Sequence, residues 1–197
     1  MSKIIYNFGT MNSSKTAQLL MVKYNYESNG KNTLLLTPSL DSRSGIDTVS
    51  SRIGLEAQAD YVIGDDFNNY RLASVWSGNQ KPAIIFVDEC QFLTKEQVNI
   101  IEYFARKQNI SVHAFGLLKD FKNNLFDGSK RWLEVSDNLT EIKNTCAMPN
   151  CERKATRNVR FIDGNPIFNG DVVQVGDEEY KPVCANHYIM LKESAYA

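Results

Sequence analysis

Gly9-Thr10-Met11-Asn12-Ser13-Ser14-Lys15-Thr16 follows the short apolar run Ile4-Ile5-Tyr6 and precedes an apolar stretch that begins at Ala17. A strand, a turn that ends in Lys-Thr and then a helix is the layout of a phosphate-binding loop. In such a loop successive backbone N–H groups face one point, and the N-terminus of the following helix adds its positive dipole end. The sequence therefore predicts a fold of the phosphate-loop type that binds a nucleoside triphosphate.

Three side chains of this loop carry specific expectations. Lys15 would lie along the β- and γ-phosphates, and the hydroxyl of Thr16 would bind Mg²⁺. Ser14 stands where the pattern usually has Gly, at a position whose backbone is crowded and often strained. The alternative is an ordinary polar turn with a chance Lys-Thr pair.

Strand and helix signals alternate from this loop to about residue 140. The fully apolar run Ala83–Val87 is typical of the buried centre of a parallel sheet. Thr94 with Gln97 predicts a capped helix that begins at Lys95. Together the signals predict an α/β domain over residues 1–143 with a doubly wound, mostly parallel sheet. The remaining elements expected there are strands at Lys3–Tyr6, Thr33–Thr37, Tyr61–Ile63 and Ser111–Leu117, helices at Lys15–Ser28, Asn68–Gly78 and Lys95–Lys107, and a loop over Leu40–Gly54.

Residues 144–197 have a different character, with short predicted strands and three of the four cysteines. Cys146 and Cys151 precede this β ribbon, and Cys184 and His187 follow it. Three thiolates and one imidazole make a closed tetrahedral zinc site, which is structural rather than catalytic. The alternative is a set of reduced, buried cysteines with a surface histidine. The strands expected here are Asn158–Ile162, Ile167-Phe168 and Val172–Val175, with turns at 163–166 and 169–170.

Two acids, Asp88 and Glu89, follow the apolar strand directly. In phosphate-loop proteins the acid at this position reaches Mg²⁺, and Asp88 suits that role. Glu89 points the opposite way along the strand, so it is a candidate general base for a hydroxyl nucleophile. The alternative is a strand that simply ends in solvated acids. Cys90 beside them is expected to be a small buried residue rather than a reactive thiol.

Two further features have weaker functional interpretations. Arg43 and Arg52 lie in the loop after the second strand, where arginine neutralises charge on a transferring phosphoryl group or is simply solvated. Phe121, shortly after the strand Ser111–Leu117, offers a ring on which a planar base stacks, although core phenylalanines are commoner.

The composition argues against some classes of protein. The chain is 43% hydrophobic and 23% charged with a net charge of −1, which gives no general attraction to nucleic acid or anionic membrane. No stretch reaches the roughly 20 apolar residues of a membrane span. The start Met1-Ser2-Lys3-Ile4 has no signal-peptide layout. We therefore expect a cytoplasmic protein without a membrane or nucleic-acid partner.

These pieces, in this order, resemble the zinc-containing type of thymidine kinase over nearly the whole chain. The most specific carriers are the runs Asp88-Glu89-Cys90-Gln91-Phe92 and Arg52-Ile53-Gly54. The resemblance implies transfer of the γ-phosphoryl group of ATP to the 5′-hydroxyl of thymidine, with Mg²⁺ and a structural Zn²⁺. Other carriers are Met11-Asn12, Asp41-x-Arg43, Gly116-Leu117-x-x-Asp120-Phe121, Leu125-Phe126-x-Gly128-Ser129, and Tyr180 before Cys184.

The resemblance also implies residue roles. Glu89 would accept the proton of the hydroxyl, while Lys15, Mg²⁺ and either Arg43 or Arg52 would balance charge on the phosphoryl group. It further implies a homotetramer that thymidine triphosphate inhibits, and a lasso-like segment that zinc anchors and that closes over the nucleoside. The implied ATP contacts are Gly9, Thr10, Met11, Asn12, Ser13, Ser14, Lys15, Thr16, Asp88, Glu89, Cys90 and Gln91. The implied nucleoside contacts are Met11, Phe92, Leu117, Phe121, Val172, Val173, Gln174, Val175, Gly176 and Tyr180.

Three other functions fit parts of the sequence. A phosphate-loop ATPase or a kinase for another deoxynucleoside would share the loop and the acids. An inactive paralogue would fit Ser14, although the intact Lys15, Thr16 and Glu89 argue against it. A zinc-ribbon nucleic-acid-binding module would need a basic face. Its candidate residues are Arg153, Lys154, Arg157 and Arg160, with acids such as Asp171 in the same segment.

Overall fold

The computed structural model describes residues 2–39, 47–75, 81–172 and 179–196. These residues form a six-stranded sheet, a three-stranded sheet and a short hairpin. The strands in chain order are β1 (Ile4–Gly9), β2 (Thr33–Pro38), β3 (Thr48–Ser50), β4 (Glu56–Gln58), β5 (Tyr61–Ile63), β6 (Ile84–Val87), β7 (Ser111–Leu117), β8 (Asn138–Ile142), β9 (Arg157–Ile162), β10 (Asn165–Ile167) and β11 (Glu179–Val183). The helices are α1 (Lys15–Ser28), α2 (Asn69–Ser74), α3 (Lys95–Gln108), α4 (Asp127–Val135) and α5 (Ala185–Ala195).

The large sheet has the order β5-β2-β6-β7-β1-β8, and every neighbouring pair in it is parallel. The predicted mostly parallel α/β sheet is therefore confirmed. Because the strands are parallel, their carboxyl ends meet at one edge of the sheet, which is where open α/β sheets bind ligands. That edge carries Gly9 at the end of β1, Val87 at the end of β6 and Leu117 at the end of β7.

The two faces of this sheet are covered by different helices. Ile85 of β6 belongs to the apolar cluster that includes Trp132 of α4 and several residues of α3. Phe86, the next residue, belongs to a second cluster that includes Leu19 of α1. A strand that buries both faces has to be apolar throughout, which explains the unbroken run of β6. Burial on both faces fixes the end of β6, and with it the position of Asp88.

Several predicted bounds need correction. The prediction of a loop over Leu40–Gly54 is wrong at its second half, because Thr48–Ser50 pairs antiparallel with Glu56–Gln58. Only the central residue of β3, Val49, is buried, so the strand has too few apolar positions to show a period. The predicted turn at 163–166 is also too long, since Asn165–Ile167 pairs with β9. Residues 40–46 and 76–80 lie outside the described ranges.

The C-terminal unit is built around β9, which pairs antiparallel with both β10 and β11. Helix α5 packs onto it, and Tyr188 of α5 donates a hydrogen bond to the carbonyl oxygen of Phe121 at 3.0 Å. The predicted strand Val172–Val175 is described only at Val172, which is not in a strand. Within the described ranges, every helix is too short or too polar to cross a bilayer.

Candidate active site and metal cluster

The loop between β1 and α1 is compact and polar. Lys15 is only 8% exposed, and its Nζ donates a hydrogen bond to the carbonyl oxygen of Thr10 at 2.8 Å. The hydroxyl oxygens of Thr10 and Ser13 are buried and have no hydrogen-bond partner among the described residues. Buried hydroxyls normally find a partner. A phosphate oxygen would satisfy them, so the loop fits the group that the sequence predicts.

Ser14 takes the backbone conformation that the usual glycine would take. Its φ is 62° and its ψ is 28°, in the left-handed region, and Asn12 two residues earlier has a φ of 59°. Such a conformation costs an L-residue roughly 1–2 kcal/mol. The loop therefore has the shape of a phosphate-binding loop despite the substitution, and the cost is carried by the backbone of Ser14.

Replacing Ser14 by Gly should raise the free energy of unfolding by about 1 kcal/mol or less, because part of the relief is lost to the greater flexibility of the unfolded chain. A β-branched residue is a genuine outlier at positive φ. We expect urea unfolding to rank the variants Ser14→Gly, wild type and Ser14→Val from most to least stable. A Gly variant less stable than the wild type would show that Ser14 is not strained.

Asp88 and Thr16 face each other across the end of the sheet. The hydroxyl of Thr16 donates to the two carboxylate oxygens of Asp88 at 3.3 and 3.0 Å. Asp88 is 4% exposed, and burial, together with repulsion from Glu89, raises its pKa to about 7. A divalent cation beside a carboxylate favours the charged form. The pair therefore has the oxygen ligands and the need for positive charge that suit Mg²⁺.

Glu89 occupies a left-handed turn directly after β6. Its φ is 42° and its ψ is 39°, and it precedes a single 3₁₀ turn over Cys90–Phe92. Residues held in such sparsely populated conformations concentrate at functional sites. Its carboxylate Oε2 accepts a hydrogen bond from Nε2 of Gln91 at 2.6 Å. The half-buried side chain thus has a fixed neighbour and lies one residue from Asp88.

A buried hydrogen-bonded wall lies behind this turn. The carbonyl oxygen of Leu117 accepts from the hydroxyls of Tyr6 at 2.7 Å and of Ser129 at 2.6 Å. Trp132 Nε1 donates to the carbonyl oxygen of Cys90 at 3.2 Å. Cys90 is fully buried, and burial raises its pKa well above the usual value, so the thiol stays protonated. The wall ties α4 and β7 to the turn that carries Glu89.

The C-terminal unit holds the other side of the phosphate loop. The backbone N–H of Met11 donates to Oδ1 of Asn158 at 2.9 Å. Nδ2 of Asn144 donates to the carbonyl oxygens of Met11 and Asn12 at 3.3 and 3.2 Å. Both asparagines were absent from the predicted site, because a single Asn gives no sequence signal for a contact across units.

The residues predicted to contact a nucleoside lie on several elements. Phe92 is half-buried, and its ring contacts that of Phe126 edge-on at 5.9 Å between centroids. Phe121 is 2% exposed, and its ring contacts that of Tyr180 at 6.4 Å between centroids. Leu117 is 9% exposed at the end of β7. Phe121 is thus a buried side chain that packs against Tyr180.

Arg160 joins three parts of this region. Its guanidinium carbon lies 4.2 Å from the centroid of the Phe121 ring. Its NH1 and NH2 groups donate to the carbonyl oxygens of Asp171 and Asn169 at 2.9 and 2.7 Å. Gly170 between them has a φ of 91°, and a Cβ there would lie 2.8 Å from NH2 of Arg160. Arg160 therefore fixes the backbone that leads into residue 172.

Arg160→Lys should raise the KM for thymidine, the nucleoside that the sequence resemblance implies, about ten-fold or more, because hydrogen bonds to charged groups contribute about 1.5–3 kcal/mol each. Lys cannot donate as a planar fork or stack on the Phe121 ring in the same way. The KM for ATP should change less than about two-fold, because the contacts of Arg160 given above are with Phe121, Asn169 and Asp171 and not with the phosphate loop. Steady-state kinetics on Arg160→Lys and on the exposed control Arg153→Lys would test this. Equal thymidine KM values in the two variants would contradict it.

The basic residues of the C-terminal unit do not form one free face. Arg160 is 2% exposed, so its charge is not offered to a large ligand. Nζ of Lys154 is bound to both carboxylate oxygens of Glu141 at 2.9 and 2.8 Å. These two residues weaken the alternative of a nucleic-acid-binding ribbon, which needs an accessible basic surface.

Several predicted site residues lie outside the described ranges: Arg43, Val173, Gln174, Val175 and Gly176. Val172 is described and half-buried. Arg52 is exposed in the turn between β3 and β4. The structure brings together the other members of the predicted phosphate site, from Gly9 to Thr16 and from Asp88 to Gln91.

A cavity of about 740 Å³ lies along α5. It is lined by Asn123, Arg157, Ala185, Tyr188, Ile189, Lys192, Glu193 and Tyr196. None of the residues of the predicted phosphate site, from Gly9 to Thr16 and from Asp88 to Gln91, lines it. The geometry therefore favours the carboxyl edge of the sheet as the candidate active site over the cavity along α5.

Cys146, Cys151, Cys184 and His187 form one cluster, with all four ligand atoms within 4.8 Å of one another. The thiol sulfurs of Cys146 and Cys184 each lie 3.4 Å from Nδ1 of His187, and the sulfurs of Cys151 and Cys184 are 4.0 Å apart. Zinc bond lengths place tetrahedral sulfur and nitrogen ligands about 3.5–3.8 Å apart. The four side chains therefore fit a structural zinc site.

The electrostatics of Cys184 agree with a metal ligand. Burial alone would raise its pKa, but the backbone N–H of His187 and the neighbouring thiols lower it to about 7. All four cysteines of the chain are described and free. Thiolates, not thiols, bind metal, so Cys184 is already close to its ligating form near neutral pH.

Comparison with known proteins agrees with this geometry. The thymidine kinase family profile matches residues 2–188. The chain is 44% identical to a thymidine kinase of Enterococcus faecalis over 95% of both chains, and 42% identical to one of Lactococcus lactis over 95% of this chain and 97% of that one. The solved Pif1 helicase of Candida albicans has a TM-score of 0.44 and 15% identity over 73% of this chain and 36% of its own, too distant to carry an argument. The chain belongs to the thymidine kinase family.

Proposed function

We propose that this protein is an ATP-dependent thymidine kinase that transfers the γ-phosphoryl group of ATP to the 5′-hydroxyl of thymidine. One observation supports the chemistry above all. Lys15 and Thr16 at the start of α1 lie at the same edge of the sheet as Asp88 and Glu89, which follow β6, and the Thr16 hydroxyl donates a hydrogen bond to Asp88. Membership of the family supports the choice of nucleoside.

The phosphate loop would hold ATP. Its backbone N–H groups and the start of α1 would face the phosphates, and Lys15 would bind the β- and γ-phosphates once it leaves the carbonyl of Thr10. Thr16 and Asp88 would hold Mg²⁺, which neutralises the charge that develops on the transferring group. The hydroxyls of Thr10 and Ser13 would gain phosphate partners. Arg43, outside the described residues, would add positive charge.

Glu89 would act as the general base. Its carboxylate takes the proton of the 5′-hydroxyl while that oxygen bonds to the γ-phosphorus, and the bond from phosphorus to the bridging oxygen breaks to release ADP. Little covalent chemistry falls to the protein, so positioning and charge neutralisation supply most of the acceleration. The hydrogen bond from Gln91 to the Glu89 carboxylate agrees with this need for positioning.

The nucleoside would lie between the two units, which we propose as domains over residues 1–143 and 144–197. The C-terminal unit would be held by Zn²⁺ and would carry the segment that closes over thymidine. We assign the pocket to Met11, Phe92, Leu117, Phe121, Val172, Val173, Gln174, Val175, Gly176 and Tyr180. Inhibition by thymidine triphosphate, assembly as a homotetramer and a cytoplasmic location stay predictions.

A coupled assay of ADP release, with ATP, Mg²⁺ and each deoxynucleoside in turn, tests the proposal. We expect turnover with thymidine and deoxyuridine, and none with deoxycytidine or deoxyguanosine. The Lys15→Met variant serves as the matched control for a contaminating kinase. Phosphate release without nucleoside phosphorylation would favour the ATPase alternative, and complete inactivity of the folded, zinc-loaded protein would favour an inactive paralogue.

A further inference from the structure

The amide of Gln91 has only one possible orientation. Gln91 is 2% exposed, and its Oε1 accepts a hydrogen bond from the backbone N–H of Leu117 at 2.9 Å. A backbone N–H only donates, so the atom that it meets must be the amide oxygen. The amide NH₂ group must then face the other way, toward Oε2 of Glu89 at 2.6 Å.

The chain leaves room for this arrangement at a single glycine. A Cβ on Gly116 would lie 2.5 Å from Oε1 of Gln91 and 2.8 Å from Sγ of Cys90. Real Cβ atoms do not approach other atoms so closely, and neither neighbour is an exposed, flexible end. Gly116 therefore lets β7 pass directly beneath the Gln91 amide, and the peptide of Leu117 is the support from which that amide is held.

The Leu117 peptide is itself fixed on its other side. Its carbonyl oxygen accepts the two buried hydroxyls of Tyr6 and Ser129. The backbone carbonyl oxygen of Leu117 is thus held by two hydroxyls, and its backbone N–H is held by the amide oxygen of Gln91. A chain of hydrogen bonds runs from the rigid end of β7 through Gln91 to the carboxylate of Glu89.

We propose that Gln91 is a positioning residue that holds the Glu89 carboxylate toward the acceptor hydroxyl and supports the left-handed turn of Glu89. This inference rests on the proposed thymidine kinase function. Gln91 touches neither reacting atom in this account; it acts through Glu89. A left-handed non-glycine residue persists only where its surroundings fix it, and Gln91 provides such a contact for Glu89.

The position of a general base affects the rate steeply. A displacement of about 1 Å in a reacting group can lower a rate about 100-fold. Gln91→Met keeps the length and approximate volume of the side chain but removes both hydrogen bonds. We therefore expect kcat to fall about 10- to 100-fold while the KM values for ATP and thymidine change less than about three-fold.

A double-mutant cycle with Glu89→Gln separates positioning from general structural damage. If Gln91 acts through Glu89, Gln91→Met should lower kcat by less than about two-fold in the Glu89→Gln background. Gln97→Met is the matched control, since the Gln97 amide also makes two hydrogen bonds, with Thr94 N–H at 2.9 Å and with Gly64 O at 2.9 Å, and neither partner is Glu89. It should leave kcat within about two-fold of the wild type.

Each outcome of the cycle decides the matter. Equal loss of kcat in both backgrounds, or a raised KM for ATP with unchanged kcat, would overturn the positioning role and favour a structural or ATP-binding one. Wild-type protein that does not phosphorylate thymidine would instead remove the proposed function, and this inference with it. If Gln91→Met does not fold by circular dichroism, Gln91→Asn replaces it, because the shorter amide stays uncharged and polar but cannot reach both Leu117 and Glu89.

Discussion

Glu89→Gln should lower kcat by at least about 100-fold while thymidine still binds, because a positioned general base contributes about 10²- to 10⁴-fold. The amide has nearly the same shape as the carboxylate. Its oxygen can accept the hydrogen bond from Gln91 that Oε2 accepts in the wild type. The left-handed turn and the pocket should therefore survive, and only the capacity to take a proton is lost.

The loss should appear in kcat and not in thymidine affinity. Single-turnover kinetics and titration calorimetry with thymidine measure the two quantities separately. Glu102→Gln is the matched control, since Glu102 pairs with Arg131 at 3.0 Å on the α3 side of the molecule and makes no contact with the site in the described structure. Turnover of Glu89→Gln equal to that of the control would remove Glu89 from the base role.

Removing one ligand of the Cys/His cluster should unfold the C-terminal unit. His187→Ala should reduce bound zinc from about one per chain to near none and abolish activity, because a structural zinc ion contributes roughly 10–16 kcal/mol of binding free energy that folding uses. The chain has only two histidines, and the second, His113, lies on β7 against Phe86. His113→Ala is therefore the matched control, expected to keep its zinc.

Loss of activity follows from the contacts that the C-terminal unit makes with the loop. Asn158 on β9 accepts from the N–H of Met11, and Arg160 on the same strand packs on Phe121. Without β9 in place, both the phosphate loop and the nucleoside side lose support. Metal analysis, near-UV circular dichroism and the kinase assay would check the sequence of effects. A His187→Ala protein that stays active without zinc would show that the cluster is not needed for folding.

Local signals in the sequence suffice for the elements that carry the phosphate site. Helix α1 and strand β7 have the predicted bounds, because a Lys-Thr turn starts the helix, and β7 is a mostly apolar run that begins soon after the end of α3. Helix α3 begins at the predicted Lys95, where the Thr94–Gln97 capping box closes in both directions. Its observed end at Gln108 differs by one residue from the prediction.

Other elements gave no local signal. β8 is an edge strand with only Ile142 buried, so its residues show no apolar alternation. α4 contains Gly128, and glycine is a poor helix former. The close packing requires it, since a Cβ there would clash with the carbonyl oxygens of Gln91 and Cys90. α5 buries a single residue, Tyr188. Tertiary contacts determine these three elements, and a single sequence does not display tertiary contacts.

The same distinction holds within the site. Lys15, Thr16, Asp88 and Glu89 were predictable because each sits at a fixed offset in a motif whose chemistry requires it. The roles of Asn158 and Arg160 depend on how the C-terminal unit docks, and Arg160 was even a candidate for a solvent-exposed basic face. Its burial against Phe121 reverses that interpretation.

The central claim is tested most directly by following the label of γ-labelled ATP in the presence of Mg²⁺ and thymidine, with wild-type protein and Glu89→Gln side by side. We predict that the wild type moves the label to the 5′-oxygen of thymidine, while the variant binds thymidine and moves almost none. Label found only in free phosphate, on another deoxynucleoside, or equally on thymidine with both proteins would contradict the account.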